Sequence, residues 1–189
     1  MTGLWRLTRN RYGRTVYDGL AAVGVTATWM REYVADPKSV PSPDPPSGVS
    51  VGEVDPSRVA ALDAPVGELV DGERVVATTD GDEAVGYLFC STDATHRIHP
   101  LERRLSFDGA YIRRVFVAPE HRQRGVASAL VRAACQWARE RDADRATALV
   151  ALDNRPSRAL FEKHGFVAER AHRYVRLGPL STRSVAEIE

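Results

Sequence analysis

The sequence predicts a single α/β domain of the α+β type, in which a mixed central sheet carries helices on both faces. From residue 49 onward, short β-rich runs alternate with two strongly amphipathic helical patterns. The chain has 189 residues and 43% of them are hydrophobic, which is enough for one core of useful size. We therefore expect one compact unit and no second core.

The predicted elements follow from hydrophobic period and from turn residues. Strands are expected at 49–54, 73–79, 84–90, 111–117 and 146–151, and a final hairpin at 166–171 and 174–177. Two of these strands flank an Asp-Gly turn at 80–82, which is typical of a hairpin. Helices are expected at 125–141 and 155–164, where Pro156 lies in the first turn and Gly165 ends the second helix. Residues 56–62 begin a short helix, and residues 92–108 are expected to form an irregular loop.

The segment before residue 49 has a different pattern. Apolar residues recur at spacings of four and three, which predicts an amphipathic helical arm over residues 1–35; they are Val16, Leu20, Val23, Ala27, Met30 and Val34. Five prolines at 36–48 predict an extended linker, residues 49–178 the domain itself, and residues 179–189 a C-terminal tail. We favour an arm that packs on its own domain or on the mate in a homodimer. A membrane-surface anchor is the alternative, because four arginines precede the apolar stripe.

Composition excludes several classes of function. Lys and Arg number 26 against 25 Asp and Glu, so a net charge of +1 gives no reason to expect nucleic acid as a partner. No apolar run approaches the roughly 18 residues of a membrane-spanning helix, and we expect a cytoplasmic protein. Cys90 and Cys135 have no partner at metal-ligand spacing, so both are expected to be buried thiols, with no metal site.

The most informative segment runs from Val115 to Ser128. A strand leads through a proline-broken loop into a helix that begins Arg122-Gln123-Arg124-Gly125-Val126-Ala127. Helix starts have unpaired amides and a partial positive charge, so they stabilise phosphate. Arg122 and Arg124 can add charge-assisted hydrogen bonds, and Gly125 permits close approach of the ligand. Several converging amides favour a diphosphate over a single phosphate.

This segment resembles the Gln/Arg-x-x-Gly-x-Gly/Ala signature of the GNAT superfamily of N-acetyltransferases. About thirty residues later, Asn154 to Phe166 resembles the second motif of the family, Asn-x-x-Ala/Ser-x-x-Leu-Tyr-x-Lys-x-Gly-Phe. The resemblance covers residues 49–178 and implies acetyl-CoA as co-substrate and an amine as acceptor.

The resemblance also implies where the co-substrate binds. The family's fourth and fifth strands splay apart, and the pantetheine arm lies between them, bonded to the backbone of Val115, Phe116 and Val117. The pyrophosphate would lie on the amides of residues 123–128, which include Gln123, Val126, Ala127 and Ser128. Asn154 would contact pantetheine or hold the splay, and Phe161 would pack beside the thioester.

Two positions depart from the family pattern. Phe161 replaces the tyrosine that often protonates the leaving sulfur, and Arg113 stands where many relatives carry a catalytic glutamate. Tyr111, Tyr174, Ser157 or water remain as proton donors, and Asp108, Glu102 or His99 as bases; from these we select Tyr111, Asp108 and Tyr174 as catalytic candidates. A thiol of pKa about 8.5 is a fair leaving group, so a missing acid slows transfer without preventing it.

The lack of an evident catalytic base limits which amines can serve as acceptor. Deprotonating a lysine-like amine of pKa about 10.4 costs roughly 4.6 kcal/mol at pH 7, against about 1.4 kcal/mol or less for an α-amine near 7.7–8.0. We therefore expect an α-amine or another amine of low pKa. A non-catalytic acyl-CoA-binding module is the alternative function.

Overall fold

A computed structural model describes residues 25–188, and these residues are organised on one eight-stranded sheet. In chain order the strands are β1 (Val25–Ala35), β2 (Val49–Val54), β3 (Arg74–Asp80), β4 (Glu83–Thr92), β5 (Thr95–Ile98), β6 (Arg103–Ser106), β7 (Ala110–Val117), β8 (Ala146–Ala151), β9 (Val167–Leu177) and β10 (Leu180–Glu187). The large sheet has the order β10-β9-β1-β8-β7-β4-β3-β2, while β5 and β6 form a separate hairpin. The neighbours β7 and β8 run parallel, and the other pairs run antiparallel.

Two α-helices cover one face of the sheet. They are α1 (Val126–Arg139) and α2 (Arg155–Lys163), and α1 buries Leu130, Val131 and Ala134 completely because these residues recur at helical spacing. The other face is covered by 3-10 helices at Pro56–Leu62 and Val66–Glu68 and by the β5–β6 hairpin. The predicted fold class, a mixed sheet with helices on both faces, is confirmed. Within residues 25–188 neither α-helix has the length and apolar character needed to cross a bilayer.

The helical arm predicted over residues 1–35 is wrong for residues 25–35, the part of it that the structure describes. Residues 25–35 form β1, which pairs with β8 on one side and β9 on the other. The sequence does not show the apolar–polar alternation of a strand here, because one face of β1 carries the buried polar residues Thr28 and Glu32 beside Met30. Tyr33 lies on the other face, toward α2. Residues 32–35 are buried on both faces of the sheet, and such a stretch does not show a simple apolar–polar period. The remainder of the predicted stripe, Val16, Leu20 and Val23, lies outside the described residues.

The proline-rich segment at 36–48 contains no helix or strand, but it does not hang free as a linker. Val40 is 1% exposed, and its carbonyl accepts a hydrogen bond from Arg139 Nη1 at the end of α1. Farther along, Pro46 lies 3.8 Å from where a Cβ on Gly125 would stand, just before α1 begins. The segment therefore runs along α1 from its last turn to its first, in the extended form that prolines favour.

Two other boundaries differ from the prediction. The tail at 179–189 supplies β10, which pairs with β9 at the edge of the sheet, and the predicted final hairpin is the single long strand β9. The predicted irregular loop at 92–108 contains the β5–β6 hairpin with a 3-10 turn at His99–Leu101. Polar residues hide both features in the sequence. His172 of β9 pairs with buried Glu32, and the β5–β6 hairpin carries six charged or histidine side chains between residues 95 and 106.

Close packing of Gly86 generates a stability prediction. A Cβ there would stand 2.9 Å from the Phe116 carbonyl oxygen and 2.9 Å from Thr78 Oγ1, whereas a Cβ on Gly52 in β2 would meet nothing within 4 Å. Gly86→Ala should lower the free energy of unfolding by about 1–3 kcal/mol through overpacking. Gly52→Ala should be neutral or slightly stabilising. Urea denaturation of both variants measures the difference, and equal free energies of unfolding would contradict this packing.

Candidate active site

The strands β7 and β8 part in the middle of the sheet. Their parallel pairing consists of Ala110↔Ala146, Tyr111↔Thr147 and Ile112↔Ala148, and in the described chain no pair follows beyond it. On its other side, β7 shifts register against β4 near Leu88, and Arg114 has φ of 59°. Such a bulge increases the local twist, which turns the rest of β7 away from β8. The splay expected between the family's fourth and fifth strands is therefore the opening between β7 and β8.

The opening forms a cleft of about 790 Å³ that passes through the sheet. On the α2 side its wall includes Asn154, Ser157 and Phe161, and on the opposite side it includes Glu68, Val70 and residues 96–100. Because the two walls belong to opposite faces, two molecules can reach the centre of the sheet from opposite directions. We call the end at α2 the donor side and the end formed by residues 68–70 and 96–100 the acceptor side.

The predicted anion-binding turn lies at the end of β7. Pro119–His121 form a 3-10 turn, Gln123 and Gly125 have φ of 61° and 89°, and α1 follows. The backbone amides of residues 123–128 donate no hydrogen bond to a backbone or side-chain acceptor within residues 25–188. These amides surround the positive end of the α1 dipole, so the turn is suited to a diphosphate. All the predicted positions from Arg122 to Ser128 lie on it.

The two arginines of the turn differ. Arg122 Nε donates to the Val117 carbonyl at 3.0 Å, so its side chain ties the turn to the end of β7. Arg124 is exposed and has no hydrogen-bond or ionic partner among the described residues. Only Arg124 is therefore wholly available to an anion.

The remaining predicted binding residues surround the donor side. Val115 lines the cleft directly, while Phe116 stacks on Tyr87 at 5.4 Å on the far face, so its side chain is committed to packing. Val115, Phe116 and Val117 belong to the part of β7 that lacks a β8 partner. Asn154 Oδ1 accepts from the Ser157 amide and caps α2. Phe161 is 3% exposed and packs edge-on against Phe166.

One of the three predicted catalytic residues reaches the cleft. Tyr111 lines it, stacked on Phe107 at 3.9 Å, and burial raises the pKa of Tyr111 well above its usual value, which keeps the phenol protonated. Tyr174 is buried elsewhere and donates its hydroxyl to Glu102, whose carboxylate also pairs with Arg176. Asp108 is exposed before the first residue of β7, at the end where β7 and β8 still pair. Tyr174 and Asp108 therefore lie outside the cleft.

Sequence reasoning missed Glu68. Among the described residues that line the cleft, Glu68 is the one carboxylate, and its Oε2 accepts from Arg114 Nη2 at 2.5 Å. His99, a predicted base, also lines the acceptor side and is exposed. Glu68 follows no motif, because it reaches the cleft through a 3-10 turn whose placement depends on long-range contacts.

Those contacts centre on Arg113. Its Nε and Nη2 donate to the two carboxylate oxygens of Glu73, each at 2.7 Å, and Nη2 also donates to the Glu68 carbonyl. The Glu73 carboxylate is fully buried and additionally accepts from the Val70 amide. Arg113 stands where many relatives are expected to carry a catalytic glutamate. Here its side chain instead forms a clamp, a set of hydrogen bonds that fixes residues 68–73 on the bulge of β7.

His96 is a second residue that the sequence did not single out as functional. It is 3% exposed, lines the acceptor side, and its Nε2 lies 2.8 Å from Ser91 Oγ. Burial lowers the pKa of His96, so the ring is neutral at pH 7. It adds a polar group to the acceptor side and no charge.

The cysteines behave as predicted. Cys90 and Cys135 are buried, neither lines the cleft, and burial raises the pKa of both thiols, that of Cys135 to about 12. Protonated, enclosed thiols are poor nucleophiles. Neither is placed to form an acyl-enzyme intermediate.

Comparison with known proteins agrees with this geometry. The sequence model of the Acetyltransferase (GNAT) family matches residues 42–166. A search of curated proteins found no match.

The fold resembles several solved structures at low identity. A Drosophila protein shares 17% identity at a TM-score of 0.61, covering 88% of this chain and 57% of the other. N-acetyltransferases from Sphaerobacter thermophilus and Kribbella flavida share 17% and 14% identity at TM-scores of 0.54 and 0.59. They cover 94% and 89% of this chain, which spans 58% and 73% of theirs. The match thus spans little more than half the length of the Drosophila and Sphaerobacter proteins. By its matched motifs and its splayed sheet, the chain belongs to the GNAT family of acetyltransferases.

Proposed function

We propose that this protein transfers an acetyl group from acetyl-CoA to an amine, directly, within a ternary complex. The observation that supports this most is the cleft between β7 and β8, which carries a carboxylate on its acceptor side and is lined by Val115, near the end of the strand that leads into the turn of unpaired amides. A donor and an acceptor can meet there without passing through a covalent enzyme intermediate. No buried thiol lies within reach to provide one.

In this proposal acetyl-CoA enters from the donor side. Its pyrophosphate lies on the amides of residues 123–128, and its pantetheine arm hydrogen-bonds the free edge of β7 from Val115 to Val117. Asn154 and Phe161 flank the thioester end. Most of these contacts use backbone groups, so the geometry of the turn matters more than the identity of its side chains.

The chemical step needs no group beyond the two substrates and the chain. The neutral amine attacks the thioester carbonyl, a C–N bond forms, the C–S bond breaks, and CoA leaves as a thiolate. Backbone amides at the bulge of β7 stabilise the oxyanion. Glu68 accepts the proton of the amine, directly or through water, and Tyr111 or Ser157 supplies one to sulfur.

The strained turn gives a test of CoA binding. Gly125→Ala places a side chain at φ of 89°, which costs about 1–2 kcal/mol, and brings a methyl group toward the diphosphate. The affinity for CoA measured by calorimetry should fall about tenfold. Gly165→Ala is the matched control, because its φ of 79° is similarly strained but lies at the far end of α2. Equal losses of CoA affinity in both variants would contradict the proposed phosphate site.

The acceptor is proposed to have an amine of low pKa. With thiol release as readout across pH 7–9, kcat/KM should be higher for α-amines than for lysine side chains in matched peptides, because less of the amine must be deprotonated. Faster acetylation of lysine side chains would overturn this proposal. Tight CoA binding with no turnover of any amine would instead favour a non-catalytic acyl-CoA-binding module.

The proposed base can be tested separately. Glu68→Gln keeps an acceptor for Arg114 but removes the proton acceptor, so kcat should fall about 10²-fold and the loss should shrink as pH rises and the free amine accumulates. Asp71→Asn, an exposed carboxylate in the same loop that does not line the cleft, is the control. An unchanged kcat in Glu68→Gln, or the larger loss in Asp108→Asn, would assign the base elsewhere.

A further inference from the structure

The acceptor side of the cleft carries an excess of positive charge. Three arginines line it, Arg97, Arg113 and Arg114, against the single carboxylate of Glu68. Glu73 neutralises Arg113 through its bidentate pair, and Glu68 neutralises Arg114. His99, neutral His96 and the protonated phenol of Tyr111 are the other titratable groups on this side, and they add no negative charge. The positive charge that remains belongs to Arg97.

Arg97 is unpaired and is held beside another cation. It is exposed on β5, and no described residue forms a hydrogen bond or ion pair with its side chain. In the β5–β6 hairpin it stands directly opposite Arg104. Like charges at facing positions of an antiparallel pair repel each other, so this pairing does not stabilise the hairpin. A bound anion would relieve the repulsion.

Resting on the proposed function, we propose that the acceptor is an amine that also carries an anionic group, a carboxylate or a phosphate, and that Arg97 binds this group. A guanidinium pairs with either anion through charge-assisted hydrogen bonds. Glu68 lies on the same side and can receive the proton of the amine. Polycationic amines are disfavoured, because the uncompensated arginine repels their second charge.

Matched acceptors test this inference. Each pair contrasts an anionic with a neutral acceptor: an amino acid against its amide, and an aminoalkyl phosphate against the amino alcohol, with a polyamine as a fifth substrate. Because the anion also raises the pKa of the amine, kcat/KM is compared for the unprotonated form of each amine. The wild-type protein should use the anionic member of at least one pair with a kcat/KM about 10–100 times higher, as expected for hydrogen bonds to a charged group. The pair that responds tells carboxylate from phosphate. Equal use of neutral and anionic members, or a preference for the polyamine, overturns the inference.

Variants of the hairpin assign the effect to Arg97. Arg97→Gln should raise KM for the anionic acceptor about 10–100-fold, leave kcat within about twofold, and leave the neutral member unchanged. Arg104→Gln removes the facing cation, which does not line the cleft, and should leave the preference intact. A loss that is equal for anionic and neutral acceptors in Arg97→Gln would show a structural role and overturn the inference.

Calorimetric titration of the anionic acceptor into the CoA complex separates this inference from the proposed function. Binding that depends on Arg97 without any turnover supports the anion site and refutes the transferase proposal. Turnover without charge preference refutes the anion site alone. If no anionic amine binds or is acetylated, the anion site is overturned; the transferase proposal is overturned as well only if no neutral amine is acetylated.

Discussion

The separation of β7 from β8 is the constraint on which the rest of this structure depends. A parallel pair ends after Ile112↔Ala148, and each strand then keeps a row of backbone groups that its neighbour does not satisfy. Unpaired backbone groups inside a protein are costly unless a partner takes them. The opening therefore offers unpaired backbone groups to a ligand, and the turn of unpaired amides lies at the end of the same strand.

Several features hold the strands apart. The bulge at Arg114 turns β7, and the clamp of Arg113 on Glu73 fixes that bulge to the loop before β3. Gly86 allows β4 to approach the Phe116 carbonyl and α1 at the point where β7 has turned away. On the β8 side, α2 begins at the cap provided by Asn154 and brings Phe161 against the opening. The same clamp also holds Glu68 at the cleft, because Arg113 donates to the Glu68 carbonyl.

The N-terminal part of the described chain completes this arrangement. β1 lies between β8 and β9, so β8 has a full antiparallel neighbour on the side away from the splay. The proline-rich segment then returns along α1 to the beginning of that helix, next to Gly125 in the turn before it. Segments that look like an appendage in the sequence are thus part of the sheet and of the packing around α1 and the turn before it.

The sequence by itself determined the local features that depend on short-range chemistry. The strand-turn-helix from Val115 to Ser128, the two α-helices and the buried cysteines could be predicted, because a glycine at positive φ, a helical apolar stripe and a cap each act within a few residues. The strand at residues 25–35 could not be predicted, since a central strand with Glu32 buried against His172 shows no simple alternation of apolar and polar residues. Only the tertiary structure decided that Glu68, His96 and Arg97 meet on the acceptor side, because the Arg113 clamp and the β5–β6 hairpin join segments that are distant in the sequence. The same packing places Asp108 and Tyr174 outside the cleft. Turns, caps and helical stripes depend on residues close in the sequence, but which side chains meet in the cleft depends on strand pairings across the sheet.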